Sequence, residues 1–203
     1  MRHNLKIGLG FFSMCILLLS SCSVFSPVKT ENESTYELNT VPLVPTKKSH
    51  HPKTILVMQP EATPTYNSSQ MIYAVKPYQT NYFAKSTWDT APAYMLQPLI
   101  IQTLQNTHHY RAVVSPSFIG NYEYVLNTQL LELQQDFSCK PSVVHLTLRA
   151  QLTRVSTNKV IATKQFSITK RTPENTPYGG VIAANQATGI LLQELARFCL
   201  KAT

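Results

Sequence analysis

The sequence predicts a single α+β domain, in which two α-helices pack on one face of an antiparallel or mixed β-sheet. Three observations lead to this fold class. Two segments repeat apolar residues at steps of three and four, which is the spacing of an amphipathic helix. Several other segments alternate apolar and polar residues, as half-buried strands do. The segments follow one another as strands, helix, strands and helix, an order that favours one sheet covered by helices.

The first strands are predicted between residues 55 and 83. Residues 55–58 form a continuous apolar run, Ile-Leu-Val-Met, that suits a buried strand. Residues 71–75 and 79–83 flank Lys76-Pro77-Tyr78, so we expect a hairpin whose turn is preset by the proline. Further upstream, residues 35–38 could pair as a short edge strand.

The first helix follows Asp89 and Thr90, either of which could cap it, and Pro92 suits its first turn. One helix face then contains Met95, Leu96, Leu99, Ile100, Thr103 and Leu104. Pro98 conflicts with this pattern, because a proline inside a helix removes one hydrogen bond and costs about 3 kcal/mol. Either the regular helix begins near Gln97, or the helix is kinked there.

Three long strands are predicted to form an antiparallel meander. Residues 122–136 change their alternation near Leu130-Leu131, which indicates a β-bulge. Residues 144–152 alternate most regularly of all, and residues 160–170 return after a turn. One face of that last strand is predicted to contain Val160, Ala162, Phe166 and Ile168.

The remaining elements are a strand at residues 110–114 and a long C-terminal helix. The helix is predicted from about Val181 to Leu200, after a loop from Pro173 to Gly180. Its stability should come mainly from packing of its apolar face, because intrinsic propensity alone is marginal. Gly179-Gly180 could present amides to an anion, but a flexible helix entry is the simpler interpretation.

Residues 1–21 have the features of a cleavable signal peptide. Basic residues at the start precede an apolar run from Ile7 to Leu19, which is too short to span about 30 Å of hydrocarbon. The following Leu19-Ser20-Ser21-Cys22 resembles the bacterial lipobox, so we expect cleavage before Cys22 and attachment of lipid, including a palmitate-type acyl chain, to this cysteine. The alternative is an ordinary signal peptide followed by a chance cysteine. Ser23 favours the outer membrane, because related inner-membrane lipoproteins have Asp at that position.

Residues 22–52 are rich in Ser, Thr, Pro, Asn and Lys and show no apolar period, which predicts a lipidated tether. The globular domain is then expected to comprise residues 53–203. Loss of Arg2 and Lys6 with the signal peptide leaves 16 basic and 10 acidic residues, a net charge of +6. A basic surface could bind anionic lipid or an acidic protein, but the basic residues are scattered, as on an ordinary solvated surface. A nucleic-acid partner is not expected, because the predicted location is the periplasmic face of the outer membrane.

No catalytic signature is present in the sequence. There is no Gly-x-Ser-x-Gly, Walker, Cys-x-x-Cys or His-Glu-x-x-His motif. His50-His51 and His108-His109 are adjacent pairs, whose side chains point in different directions in regular structure, so a metal site is not expected. We therefore predict no enzyme activity, no metal and no cofactor other than the lipid on Cys22.

Cys139 and Cys199 remain as an even pair in an oxidising compartment. A disulfide between them would close a loop of about 60 residues and stabilise the fold by roughly 4 kcal/mol in the chain-entropy model. Two buried free thiols are the alternative.

Aromatic residues are concentrated between positions 66 and 94. Seven occur there: Tyr66, Tyr73, Tyr78, Tyr82, Phe83, Trp88 and Tyr94. Tyrosine and tryptophan contribute much of the energy of protein interfaces, although such residues can equally build the core. Our candidate interface residues are Tyr78, Tyr82 and Trp88.

The same segment carries a resemblance to a known family. The pattern comprises Tyr73, the Pro77-Tyr78 turn, Tyr82, Trp88, Pro92, Met95-Leu96-Gln97 and Leu104. Further matches are Ile55-Leu56-Val57, residues 110–114, Ala183-Ala184 and Leu191-Leu192. Over residues 36–200 the chain resembles the ABC-type transport auxiliary lipoproteins, which include the paraquat-inducible protein C group. Pro98 departs from the pattern, since the family favours a helix former there.

The resemblance implies an auxiliary, non-catalytic function at the outer membrane. Members of this family work with an ABC transporter and an MCE-domain protein that moves phospholipid across the periplasm, and some form homo-oligomers. We therefore expect these proteins, and a second copy of the chain, as partners. The alternative is a binding or activator lipoprotein of another envelope machine, such as one that acts in cell-wall synthesis.

Overall fold

The computed structural model describes residues 33–44 and 51–203, with side chains described from residue 53 onward in the second range. In this part of the chain, nine strands, two α-helices and two single-turn 3-10 helices follow one another. The strands are β1 (Ser34–Tyr36), β2 (His51–Val57), β3 (Glu61–Ala62), β4 (Gln70–Ala74), β5 (Asn81–Trp88), β6 (Tyr110–Val114), β7 (Tyr124–Asp136), β8 (Val143–Arg154) and β9 (Lys159–Arg171). The helices are α1 (Pro92–Asn106) and α2 (Pro177–Ala202), and the 3-10 turns are Pro64–Tyr66 and Val155–Thr157.

Strand β7 organises the mixed sheet. Along one edge it pairs with β8, which pairs in turn with β9, and both pairings are antiparallel. Along its other edge it pairs in parallel with β2, β3 and β4 in succession. Strand β6 extends the sheet beyond β2, and the β4–β5 hairpin carries β1 as a parallel edge strand. The predicted α+β class, meander, hairpin and edge strand are therefore confirmed.

The core lies between one face of the sheet and both helices. Alternate residues of β8 are fully buried, namely Leu146, Leu148, Ala150 and Leu152. They join α1 residues such as Leu96 and α2 residues such as Leu191 in one hydrophobic cluster. Because side chains of a strand alternate between its two faces, the opposite face is left to polar residues.

Two irregularities decide which residues of the meander face the core. The β7–β8 register shifts between Leu130 and Glu132, which confirms the predicted bulge. A second shift, between Leu152 and Thr153, pairs Thr153 with Val160 and leaves the Val160 side chain exposed. The prediction that Val160 shares the buried face of Phe166 was therefore wrong, because a one-residue slip moves a side chain to the other face.

Helix α1 is continuous from Pro92, so the predicted start near Gln97 is wrong. Pro98 lies inside the helix and supplies no N–H for the carbonyl of Tyr94 one turn earlier. The N-terminal cap residue is Ala91, whose side chain makes no capping hydrogen bond, rather than Asp89 or Thr90. The predicted face is buried as expected, and Thr103 satisfies its hydroxyl by donating to the Leu99 carbonyl at 2.7 Å.

Helix α2 begins one turn before the predicted Val181. Thr176 caps it, since its hydroxyl accepts a hydrogen bond from the Gly179 amide at 3.0 Å. The Gly180 amide donates to the Thr176 carbonyl, also at 3.0 Å. Both amides are therefore occupied within the helix entry, and the glycine pair does not present them to an anion.

A buried polar network fixes this helix entry to the sheet. The Gln135 Nε2 donates to the Ser142 hydroxyl at 2.9 Å and to the Thr176 carbonyl at 3.2 Å. The Ser142 hydroxyl also shares a 2.7 Å hydrogen bond with that of Thr172. Gly180 faces this network directly, because a Cβ atom there would lie 2.2 Å from the Gln135 Oε1. The glycine therefore allows the first turn of α2 to approach β7.

Residues 37–44, which we name the strap, lie across both helices. The Leu38 amide donates to the sulfur of Met95 in α1. The Asn185 Oδ1 in α2 accepts from the Asn39 amide at 2.9 Å and from the Thr40 hydroxyl at 3.1 Å. The tether predicted for residues 22–52 therefore needs correction, since residues 33–44 and the start of β2 belong to the domain. A domain start at residue 53 is too late.

The candidate disulfide is not formed in the structure, where both cysteines are free thiols. Cys199 is fully buried. It lies near the Tyr124 end of β7, because the Tyr124 hydroxyl donates to the Thr203 carbonyl and the Thr203 hydroxyl donates to the Cys199 carbonyl. Cys139 is exposed beyond Asp136, at the other end of that strand. The two strand ends are separated by about 40 Å at 3.3 Å per residue, far beyond the reach of a disulfide.

Candidate contact surface

Two loops meet at one end of the sheet and form a surface that we name the tip, comprising residues 75–80, Tyr82 and residues 137–141. They meet because β4 pairs in parallel with the last residues of β7, through Tyr73 with Gln135 and Ala74 with Asp136. The Phe137 amide then donates to the Ala74 carbonyl at 2.8 Å. The β4–β5 turn and the β7–β8 loop are therefore held side by side.

An aromatic cluster supports the tip. The ring of Tyr73 lies 4.5 Å from that of Phe83, and Phe137 contacts both rings edge-on, at 5.8 and 6.2 Å between centroids. These separations are typical of favourable aromatic pairs. Beside the cluster is an open cleft of about 430 Å³, to which Val75 and Tyr82 also contribute. Val75 is 51% exposed and Tyr82 is 46% exposed.

The turn itself presents Tyr78 to solvent. Its backbone has φ of 64°, in the left-handed region that a residue with a Cβ adopts at a cost of roughly 1–2 kcal/mol. Its side chain is fully exposed. Because the Tyr78 ring is exposed, packing within the domain does not offset the cost of this backbone conformation.

The three candidate interface residues are not brought together. Tyr78 and Tyr82 lie on the tip, where they could contact a partner. Trp88 is only 5% exposed and packs in the hydrophobic core, so its assignment to an exposed interface was wrong. Trp88 ends β5 shortly before α1, where the sheet meets the helices. It therefore has the alternative role considered for the aromatic residues, which is to build the core.

The electrostatics of the tip are dominated by lysine. Lys76 and Lys140 are exposed on its two loops, and Lys85 lies further along β5. Asp136 borders the tip from the end of β7. Burial works to raise the pKa of this carboxyl, but hydrogen bonds from Ser138 and the nearby His145 outweigh it and keep the pKa below its usual range.

The described residues hold no cluster of metal ligands, and the buried Cys199 is not an activated nucleophile. Across residues 33–44 and 53–203, no three His, Cys, Asp or Glu side chains converge as ligands. Burial raises the pKa of the Cys199 thiol to about 12, and a thiol that stays protonated is a poor nucleophile. Burial, with Glu132 and Tyr82 nearby, also raises the pKa of Tyr66 to about 12. Neither helix in this part of the chain is both long and apolar enough to cross a bilayer.

The sequence prediction missed two contact residues, Phe137 and Asn185. Phe137 was not assigned to the aromatic surface, although its position directly after a long strand could have indicated a loop beside the hairpin. Asn185 was overlooked because a single amide on a helix carries no pattern. Cys22 and the predicted signal peptide of residues 1–21 lie outside the described residues.

The fold is shared with solved structures of low sequence identity. Protein XCC0632 from Xanthomonas campestris, of family DUF330, is 18% identical and matches with a TM-score of 0.76 over 83% of this chain and 96% of its own. An uncharacterized protein is 13% identical, with a TM-score of 0.66 over 83% and 99% of the two chains. The hypothetical protein CT253 from Chlamydia trachomatis is 7% identical, with a TM-score of 0.51 over 75% and 98%.

The family to which the chain belongs is identified by sequence comparison, because similarity of fold at such low identity does not identify it. No curated protein matches the chain significantly. The family described as the ABC-type transport auxiliary lipoprotein component matches residues 36–196. This range begins within β1 and ends within α2, so it includes the hairpin, the tip and both helices. The chain therefore belongs to the family of ABC-type transport auxiliary lipoproteins.

Proposed function

We propose that this protein is a non-catalytic auxiliary lipoprotein of an ABC/MCE-type system that moves phospholipid between membranes. The observation that carries the proposal is the family match over residues 36–196, which covers nearly all of the described domain. Membership of the paraquat-inducible protein C group, which belongs to this family, is part of the proposal. A homo-oligomer is part of the proposal.

In this proposal the protein acts through position rather than through chemistry. Cys22 carries lipid that anchors the chain in the outer membrane, on its periplasmic face, and the strap fixes the chain to the domain. The domain then offers rigid surfaces to the MCE-domain protein and the ABC transporter.

The first test is a mild-detergent pull-down of the tagged full-length protein, with mass spectrometry of the proteins that accompany it. We expect an MCE-domain protein or its ABC transporter. Recovery of cell-wall enzymes in their place would contradict the proposal and favour an activator of cell-wall synthesis. A tagged, unrelated outer-membrane lipoprotein is the control for proteins that bind any lipidated bait.

The anchor is tested separately. Labelling with a palmitate analogue should mark the wild-type chain and leave the Cys22→Ala variant unlabelled and free of the membrane. Ser23→Asp should redirect the labelled protein from the outer to the inner membrane in a density gradient. Unchanged membrane association of Cys22→Ala would contradict the anchor.

A further inference from the structure

We infer that the tip rests on the anionic phospholipid surface of the membrane in which the chain is anchored. The inference rests on the proposed acylation of Cys22 and adds a second contact with lipid, made by the folded domain itself. It follows from the direction in which the chain enters the domain, from the length of chain between anchor and domain, and from the composition of the tip.

The chain enters the domain from the side of the tip. Strand β1 runs parallel to β5, with Ser34 beside Ser86 and Tyr36 beside Trp88. Glu33, the residue before Ser34, therefore lies on the side of Lys85 and Tyr82. Tyr82 lies four residues before Ser86, which is about 13 Å along the strand at 3.3 Å per residue.

The chain before the domain is short. Eleven residues lie between Cys22 and Ser34, and the twelve residue-to-residue steps that join them span at most about 43 Å when fully extended. The entry into β1 is therefore never further than this from the lipid. The opposite end of the domain, at Arg154 and Lys159, lies about 40 Å beyond the tip along β7 and β8. The entry into β1 lies about 13 Å from Tyr82 and therefore about 27 Å from the far end, so the tip is the end nearer to the anchored chain.

The composition of the tip suits a headgroup layer. Tyr78, Tyr82 and Val75 expose rings and a branched side chain, and tyrosine is enriched where protein meets the membrane–water interface. The tip, residues 75–80, Tyr82 and residues 137–141, contains two lysines, Lys76 and Lys140, and no acidic residue. Lysines close to an anionic leaflet contribute about 1 kcal/mol each. Asp136 borders this surface, but it is engaged by Ser138 and His145.

A lipid surface explains this combination better than a second copy of the tip does. Two tips in contact would bring their lysines together without an opposing carboxylate from either segment. A lipid surface provides the opposite charge for the lysines and a partly apolar layer for the tyrosines. It also gives the exposed ring of Tyr78 a contact that the domain does not provide.

Cys139 allows a direct test because it is exposed on the tip, whereas Cys199 is fully buried and Cys22 would be acylated. The full-length acylated protein is labelled at Cys139 with an environment-sensitive dye and placed in vesicles of phosphatidylethanolamine with phosphatidylglycerol. We expect a blue-shifted emission and quenching by nitroxides attached to the lipid. Vesicles of phosphatidylcholine alone should give little of either.

Two matched double variants distinguish a contact made by the tip lysines from a non-specific attraction of the whole basic protein to anionic lipid. Neutralising Lys76 and Lys140 together, as Lys76→Gln and Lys140→Gln, should lower the equilibrium constant for tip contact about thirty-fold. Arg154→Gln with Lys159→Gln removes the same charge at the far end and should leave the quenching unchanged. Equal loss in both double variants would overturn the inference, since it would indicate a general attraction.

The remaining outcomes are equally decisive. A dye that stays accessible to water in anionic vesicles overturns the inference, as does one that becomes protected only after a purified envelope protein or excess unlabelled protein is added. Those two results would make the tip an interface with a protein partner or a second copy. Failure of the protein to float with any vesicle would instead refute the acylation of Cys22, and is measured before the dye is read.

Discussion

Replacement of Gly180 by alanine tests whether the polar network really sets the approach of α2 to the sheet. An added Cβ would lie 2.2 Å from Gln135 Oε1 and 2.8 Å from its Cδ. Gln135 cannot move away freely, because it is buried and held by Ser142 and by the Thr176 carbonyl. The substitution must therefore displace either the glutamine or the helix entry.

The magnitude follows from three opposing effects. Breaking two hydrogen bonds of Gln135 costs about 2 kcal/mol, and overpacking of the site adds about 1–3 kcal/mol. Alanine gains up to about 1 kcal/mol over glycine from helix propensity. We expect Gly180→Ala to lower the free energy of unfolding by about 2–4 kcal/mol. In the Gln135→Ala background the obstructing atoms are gone, so the same substitution should stabilise the protein by up to about 1 kcal/mol.

The assay is urea unfolding of the mature chain, followed by the fluorescence of buried Trp88, for the wild type, both single variants and the double variant. A change of sign between the two backgrounds is the expected result. The reasoning is refuted if Gly180→Ala is neutral in the wild type, or if it costs the same amount in both backgrounds.

Three further predictions concern the strap, the core and the buried thiol. Asn185→Ala removes three hydrogen bonds to residues 37–40, so amide exchange in the strap should accelerate, whereas Gln186→Ala on the exposed side should leave it unchanged. Equal exchange in the two variants would contradict this. Trp88→Ala should cost about 3–5 kcal/mol in thermal unfolding, but Tyr78→Ala no more than about 0.5 kcal/mol; similar losses would sink the core assignment of Trp88. The Cys199 thiol ionises near pH 9 when unfolded and near pH 12 when folded, so its contribution to stability should fall as pH rises between these values, and Cys199→Ala should show a flatter decline.

The regular elements were predictable because local periodicity determines them. The alternation of residues 144–152 reappears as the buried face of β8, and the parity change near Leu130 reappears as a bulge. Both features are written into consecutive residues. The exposure of Val160 could not be predicted in this way, because the register shift that exposes it depends on how β9 aligns with β8 and not on the sequence of β9 alone.

The missed features depend on contacts between distant segments. The start of α2 was hidden because Gly179-Gly180 is typical of a loop. Contacts explain the two glycines: a Cβ at residue 179 would lie 2.2 Å from the Glu174 carbonyl oxygen, and one at residue 180 would lie 2.2 Å from Gln135 Oε1. The strap has no period of its own, since Asn185 holds its backbone from about 146 residues away in sequence. At the tip, Tyr78 and Tyr82 were predictable as aromatic candidates, but their separation from Trp88 required the fold.

The parallel pairing of β1 with β5 also determines how the domain responds to mechanical load. A pull on the chain at residue 33 toward the tip acts along the axis of β1, so the hydrogen bonds to β5 are stretched together in shear rather than opened one at a time. Immediately after β1, the Asp89 amide donates a hydrogen bond to the Tyr36 carbonyl, and the Asn185 side chain accepts one from the Asn39 amide. A force that pulls the N-terminal chain away from the domain would therefore act first on the β1–β5 hydrogen bonds and on the hydrogen bonds of Asn185. The helices and the central strands would bear this force only after those bonds had broken.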